Sequence, residues 1–300
     1  MAFIGSNTLV EDTASPEGHD YGILSPATTV IVDNDERWLS GLTYPTIDAG
    51  ASVTLAPISG MSSDSDVSGT EVISPDPDKP PYRFYYPFDI KASMKASTMG
   101  STPEEIYANA EAVIDTVTQK AIEIELWKGI IARSLTASDA KGNRFMGAAA
   151  GTDFIDVTPS GSAGGVKPRY GQALLEQALG DATIGSKGVL HTPRLLASIL
   201  KVKDSNGVLK TNLGTPVVAG AGYSLTGPDG QPAAAGKAWM FATGPMTVRL
   251  GPVAVLPGEV SQAVDTRVNT ITYYIDRAAA VTWSTSNLYA VLVDLTLDYA

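Results

Sequence analysis

TPEEIYANAEAVIDTVTQKAIEIELWKGIIARS, residues 102–134, is the stretch from which the rest of the chain takes its meaning. Thr102 is a good N-cap, since its hydroxyl can accept from the first free backbone N–H groups. Pro103 suits the first helical position, where its missing N–H is no loss, and Glu105 completes a capping box with Thr102. Apolar residues recur at Ile106, Ala110, Val113, Val117, Ala121, Ile124, Trp127 and Ile131, with a mean step of about 3.6, the helical period. Glu104 and Glu105 lie at the positive end of the helix dipole, and Lys128 and Arg133 near the negative end. A helix is expected over 103–134, roughly 45 Å long at 1.5 Å per residue. Helices in compact domains average about 11 to 12 residues, so something extended must pack along it. A coiled coil is the competing reading, but the heptad pattern would stand alone in a strand-rich chain.

Upstream, residues 1–44 read as an arm. ThrThrValIleVal (28–32) has strand character, and 33–42 a short helix with Asp33 or Asp35 as N-cap and Trp38, Leu39 and Leu42 on one face. Residues 45–100 read as an extended hairpin, with strands at 52–58 and 82–96 and polar, turn-forming stretches at 60–69 and 74–81 between them. Such a hairpin is not stable alone in water and needs a surface to lie on. The arm and hairpin are therefore expected to bury most of their apolar side chains only against other subunits.

Downstream, a glycine-rich loop (147–165) holds a strand at PheIleAspVal. Short alternating elements follow. A helix is expected over 172–179, with Leu174, Leu175, Ala178 and Leu179 inward and Gly180 just past its end. A strand at 188–191 leads into a helix opened by Thr192 and Pro193 and running to Lys201, with Leu195, Leu196, Ile199 and Leu200 as its core face. Asn206-Gly207 signals a turn. Strands at 216–219, 238–242 and 246–255 complete an α/β region. From 268 the chain is almost all strand: 268–276 and 278–283, a turn at 284–287, and a return at 288–297. This C-terminal hairpin could cover the long helix.

The composition is that of an ordinary folded chain, 44% apolar and 18% charged, with 29 glycines and 19 prolines for turns. No window offers the roughly 18 uninterrupted apolar residues of a membrane span, and residues 1–20 lack signal-peptide character. The chain has no cysteine and a formal net charge of −11, which argues against disulfide or thiolate chemistry and against a dedicated nucleic-acid binder. Chemistry-bearing motifs are scarce. His19 and His191 stand apart without metal-ligand spacing, and His191 reads as a hydrogen-bonded structural histidine. GlyAlaGlyTyrSerLeu (220–225) lacks the third glycine and the following helix of a dinucleotide site, so it reads as a strand-end turn. Asp64, Asp66 and Glu71 lack EF-hand spacing. The TyrArgPheTyrTyrProPhe cluster (82–88) has little positive charge nearby and reads as a packing stripe, not a base-stacking platform. No catalytic, cofactor-binding or metal residue is expected, and no enzymatic activity.

Four segments carry a resemblance: TyrProPheAspIleLysAla (86–92), IleGluIleGluLeuTrpLysGly (122–129), GlySerLysGlyValLeuHisThrProArg (185–194), and ThrIleThrTyrTyrIleAspArgAlaAlaAlaValThrTrp with LeuTyrAlaValLeuValAsp (270–294). In combination and order they resemble the tailed-phage major capsid proteins of the Hong Kong 97-like fold, in particular those of phages infecting actinobacteria. The resemblance implies an α+β chain with an N-arm (1–44) and an E-loop hairpin (45–100). A peripheral domain (101–167) would hold the spine helix 103–134, an axial α/β domain would span 168–262, and the C-terminal strands (263–300) would rejoin the peripheral domain. It further implies copies of the same chain as partners, in pentamers and hexamers of an icosahedral virion shell around double-stranded DNA, assembled in the host cytoplasm. Scaffolding, portal and decoration proteins would be further partners, and no membrane. The chain begins at Met1 without a helical prodomain, which suggests a separate scaffold or none. Lys79, Lys91 and Lys95 lie in or near the hairpin, but nothing marks them for the Lys–Asn cross-link that some members form. An encapsulin-type compartment shares this fold and is the nearest alternative. A small-molecule enzyme on the central α/β region is a more distant one.

Overall fold

The computed structural model describes residues 19–45, 53–55, 70–73, 82–85, 87–97, 102–131, 146, 154–182, 188–228, 232–258, 260–284 and 288–296. The long helix, α1, spans Pro103–Lys128. Its capping box forms as expected: Glu105 N–H donates to the Thr102 hydroxyl at 3.2 Å and Thr102 N–H to the Glu105 carboxylate at 2.9 Å. The helix ends earlier than 134. Gly129 takes a left-handed conformation (φ 61°, ψ 48°) and its N–H closes on the Glu125 carbonyl, the usual way a glycine stops a helix. At 26 residues α1 is about 39 Å long.

The buried face of α1 also differs from the expected one. Ile106, Ala110, Ile114, Ile122, Leu126 and Trp127 are buried, whereas Val113 and Val117 are 40% and 38% exposed. Two apolar rows run side by side along this helix. The inward one is interrupted by the polar residues Thr118, Gln119 and Glu123, all buried, and hydropathy alone favours the uninterrupted row.

The strands in chain order are β1 (Thr29–Val32), β2 (Leu42–Pro45), β3 (Val53–Leu55), β4 (Thr70–Ile73), β5 (Tyr82–Tyr85), β6 (Phe88–Ser97) and β7 (Phe154–Asp156). The helix α2 (Pro168–Ala182) precedes β8 (Val189–Pro193), β9 (Lys203–Ser205), β10 (Val208–Lys210), β11 (Pro216–Gly220) and β12 (Lys237–Thr243). Last come β13 (Met246–Leu256), β14 (Val264–Asp265), β15 (Thr270–Trp283) and β16 (Leu288–Asp294). A five-stranded sheet runs β1-β13-β15-β14, with β6 also on β15. A seven-stranded sheet runs β7-β16-β12-β8-β11-β10-β9. The α+β class stands.

The first sheet forms because β15 alternates: Ile271, Tyr273 and Ile275 are buried while Tyr274 is 60% exposed, the period of a strand with one covered face. Helix α1 covers that face. Ile106 packs with Ile271 and Tyr273, and Ala110 and Ile114 lie in one core with Ile275 and Ala279. The central strand β8 of the second sheet is buried along its length, and Leu175 and Leu179 of α2 cover this sheet over Leu190, Met240 and Val291.

Several boundaries shift. Residues 270–283 form one continuous strand, and it does not fold back on β16 as a hairpin. The chain turns at Ser284 and β16 joins the second sheet, antiparallel to β12. Conversely β13, inside the segment 168–262, joins the first sheet. Thus both sheets take strands from either side of residue 263. Helix α2 continues through Gly180, whose Cα faces open space. The helix expected from Thr192 is shorter: β8 runs through Pro193, only Arg194–Ala197 are helical, and Leu195 is 54% exposed. The short helix of the arm is a 3₁₀ turn, Glu36–Ser40, capped by Asp35, with Trp38 buried and Leu39 outside. Asn206 and Gly207 make the turn between β9 and β10 with positive φ (56° and 74°).

The extended hairpin pairs differently from the expected match of 52–58 with 82–96. β2 pairs with β5 and β3 with β4, nested antiparallel ladders, while β6 leaves the ribbon at Pro87 to join β15 over ten residue pairs. The expected tip stretches 60–69 and 74–81 lie outside the described residues. The arm departs most from expectation. β1 lies parallel on β13 of its own chain, and Ile23 and Trp38 are buried there.

Candidate functional site

The arm crosses the C-terminal half of α1 at a polar junction. The Ala219 N–H donates to the Tyr21 carbonyl (2.8 Å), Gln119 Nε2 to the His19 carbonyl (2.8 Å) and Arg194 Nη1 to the Asp20 carbonyl (3.0 Å). The centre is Glu123, fully buried on α1. Its Oε1 accepts from Ile23 N–H (3.0 Å) and its Oε2 from Gly222 N–H (2.7 Å). One carboxylate thus joins the arm, the long helix and the turn after β11. The contact requires two glycines. A Cβ on Gly22 would lie 2.0 Å from Gln119 Nε2 and 2.5 Å from Glu123 Oε1, and one on Gly222 would lie 2.6 Å from the Lys120 carbonyl. Burial raises the Glu123 pKa above the usual carboxylate value. Hydrogen bonds from Gly222, Ile23 and Ala221 and the nearby His19 offset this only in part.

A second buried set adjoins the first. His191 Nδ1 lies 3.0 Å from Tyr223 Oη, and Nε2 lies 3.0 Å from Thr243 Oγ1. The Thr243 hydroxyl donates to the Gly244 carbonyl, so it accepts from His191 Nε2–H; burial disfavours a second proton on the ring, so Nδ1 accepts from the Tyr223 hydroxyl. The imidazole is therefore neutral, with its proton on Nε2. Burial pushes its pKa down to about 3, and burial together with the Glu123 charge pushes the Tyr223 hydroxyl well up. Trp127 stacks on Tyr223 at 4.6 Å, meets Phe241 edge-on at 4.8 Å, and donates Nε1–H to Thr226 Oγ1 at 3.0 Å. His191 and Glu123 are sealed from solvent, so what this arrangement can do is hold elements in register.

Of the remaining sequence candidates, His19 and the 220–225 turn meet this junction; among the described residues the others lie elsewhere. His19 is exposed. GlyAlaGlyTyrSerLeu forms the turn after β11, as expected, and supplies Gly222 and Tyr223 to the junction. Of the aromatic cluster, Tyr85 is buried, its hydroxyl donating to the Trp283 carbonyl at 2.9 Å. Lys91 sits 3.7 Å from Asp89, both exposed, and Lys95 is exposed on β6. Asp64, Asp66 and Lys79 lie outside the described residues; Glu71 falls within β4. Among the described residues no three His, Asp or Glu side chains gather in a way that could hold a metal ion. Sequence reasoning missed Glu123 and Gly22. The signal for Glu123 was an acid on the inward row of α1, four residues after Gln119; for Gly22 there was none.

No family model matches the chain, and no curated protein matches it. Solved structures do. The holo-SrpI encapsulin complex of Synechococcus elongatus is similar over 84% of this chain and 85% of its own, at 11% identity and a TM-score of 0.46. The capsid of an empty GTA particle is similar over 93% of each chain, at 13% identity and a TM-score of 0.48. A chain of Mycobacterium phage Cain is similar over 93% of this chain and 90% of its own, at 12% identity and a TM-score of 0.48.

Proposed function

We propose that this chain is the subunit of a self-assembling icosahedral shell, a phage major capsid protein of Hong Kong 97-like type that forms pentamers and hexamers around double-stranded DNA. The observation that carries this reading is the ribbon of β2 to β5. Among the described residues its two ladders pair within the ribbon and add to neither large sheet. A two-stranded ribbon of this kind is marginal in water and needs a surface to lie on. A neighbouring copy supplies such a surface many times over in a shell.

The chain is then a structural component of the virion and not an enzyme. Segments 1–44, 45–100, 101–167, 168–262 and 263–300 act as arm, E-loop, peripheral domain, axial domain and returning strands in this reading, with β13 and β16 crossing between the two large sheets. A net charge of −11 suits a wall that encloses DNA without holding it, since like charge repels phosphate. Scaffolding, portal and decoration proteins are further partners in this reading. Electron microscopy of the purified protein, with nuclease treatment of its contents, tests it. Closed shells of uniform size containing nuclease-protected DNA are expected when the protein is taken from virions. Discrete small oligomers under every assembly condition would refute it, and shells holding protein cargo in place of DNA would identify an encapsulin-type compartment instead.

A further inference from the structure

Asn206 and Gly207 are the two central residues of the hairpin turn between β9 and β10, where Ser205 faces Val208 across the ladder. Both residues have positive φ and both are exposed. Space is open where a Cβ on Gly207 would stand. In an Asn-Gly pair no side chain shields the backbone nitrogen that follows the carboxamide, so that nitrogen can approach the side-chain carbon of the asparagine closely. One interaction in this turn opposes the approach. The Gly207 N–H donates to Asp204 Oδ1 at 3.0 Å, which ties down the nitrogen together with the proton it must lose to attack. Asp204 is itself held in place, opposite Leu209 in the ladder and by a hydrogen bond from the Tyr21 hydroxyl of the arm. Val208, the first residue after the turn, is buried, so the turn is anchored on that side as well.

We propose that Asn206 is a site of spontaneous deamidation and that Asp204 is the positioning residue that restrains it. Water is the only co-reactant. The Gly207 nitrogen gives up its proton and bonds to Asn206 Cγ, and the carboxamide nitrogen leaves as ammonia. Water then opens the succinimide ring at either of its two carbonyls, leaving aspartate or isoaspartate at position 206. Either product adds a negative charge two residues from Asp204. Isoaspartate also inserts a carbon into the backbone of a turn that fits two residues, and the register of β9 on β10 is set by that turn. This chemistry is independent of the shell reading.

The test incubates full-length wild type and Asp204→Ala at neutral pH, each both native and unfolded in guanidinium. The tryptic peptide 204–210 is followed by mass spectrometry, with its aspartate and isoaspartate forms separated by chromatography. The ratio of native to unfolded rate cancels the effect of neighbouring sequence. In wild type the native rate is expected to be well below the unfolded one, and in Asp204→Ala the ratio should rise several-fold. Asp204→Asn keeps an acceptor at the same place and should stay near wild type, which separates the lost hydrogen bond from a loosened turn. Asp204→Lys, with a donor in place of the acceptor, carries the test if Asp204→Ala does not fold. Equal ratios in wild type and Asp204→Ala overturn the role of Asp204. A native Asp204→Ala that forms no product at Asn206 while its unfolded chain converts overturns the site.

Discussion

Glu123 and His191 lie in adjoining buried sets, and their titrations act on stability with opposite signs. Glu123 has a folded pKa above its ordinary value, so its contribution is fully present below that value and is lost as pH rises through the raised one. Unfolding by urea should therefore show a wild-type stability that declines, relative to Glu123→Gln, between about pH 4 and the raised folded value. A constant gap between the two proteins across that range would rule out this titration. His191 runs the other way. Its pKa falls from 6.5 to about 3, so its stabilisation is complete above about pH 6.5 and vanishes as pH falls to about 3. The shift corresponds to about 5 kcal/mol at 1.36 kcal/mol per pH unit. His191→Gln should flatten the acid limb between those values; an unaltered limb would mean the imidazole is not buried neutral. Neither group was marked by a motif. His191 could be read as structural from its place at a strand end, but nothing local in the sequence shows that Glu123 meets the arm a hundred residues upstream.

The two ends of α1 were legible in the sequence to different degrees. The Thr102–Glu105 box is a local pattern of side chain and backbone, and it forms as written. The C-terminus was obscured because Ile130 and Ile131 continue an apolar pattern past Gly129, and nothing local says that they stay outside, 56% and 42% exposed. The inward face was misjudged because polar residues that pair at the junction, Gln119 and Glu123, count against burial in any hydropathy pattern. Substitution separates the two faces. Ile114→Ala should cost about 2 to 5 kcal/mol, as for a fully buried isoleucine, while Val113→Ala and Val117→Ala, on the more exposed row, should stay within about 0.5 kcal/mol. Equal losses on both rows by thermal or urea unfolding would mean that the helix is rotated from its described setting. Gly129→Ala, at φ 61°, should cost about 1 kcal/mol.

At the scale of the molecule, the arm and the ribbon differ in a way that the sequence did not separate. Both looked like segments in need of a surface. The arm finds one on its own chain, through β1 on β13 and through Glu123, whereas among the described residues the ladders β2–β5 and β3–β4 add to neither sheet and only the base of the ribbon, at Tyr85, is buried on the chain's own core. The difference lies in pairings between residues far apart in sequence, which local pattern cannot supply. It also sets the division of labour: the arm should belong to subunit stability and the ribbon to assembly. Pro45 faces Tyr82 at the end of the β2–β5 ladder, so residues 46–81 can be replaced by an Asn-Gly turn suited to a two-residue hairpin. That protein should keep both large sheets, with a circular-dichroism melt close to wild type, and should fail to form shells in sedimentation and electron microscopy. Gly22→Ala should do the reverse, lowering the melting temperature of the unassembled subunit because its Cβ collides with Gln119 and Glu123. Shells of normal size from the shortened protein would show that the chain beyond Pro45 and Tyr82 makes no essential contact between copies, and the shell reading would then stand on assembly itself and not on the ribbon.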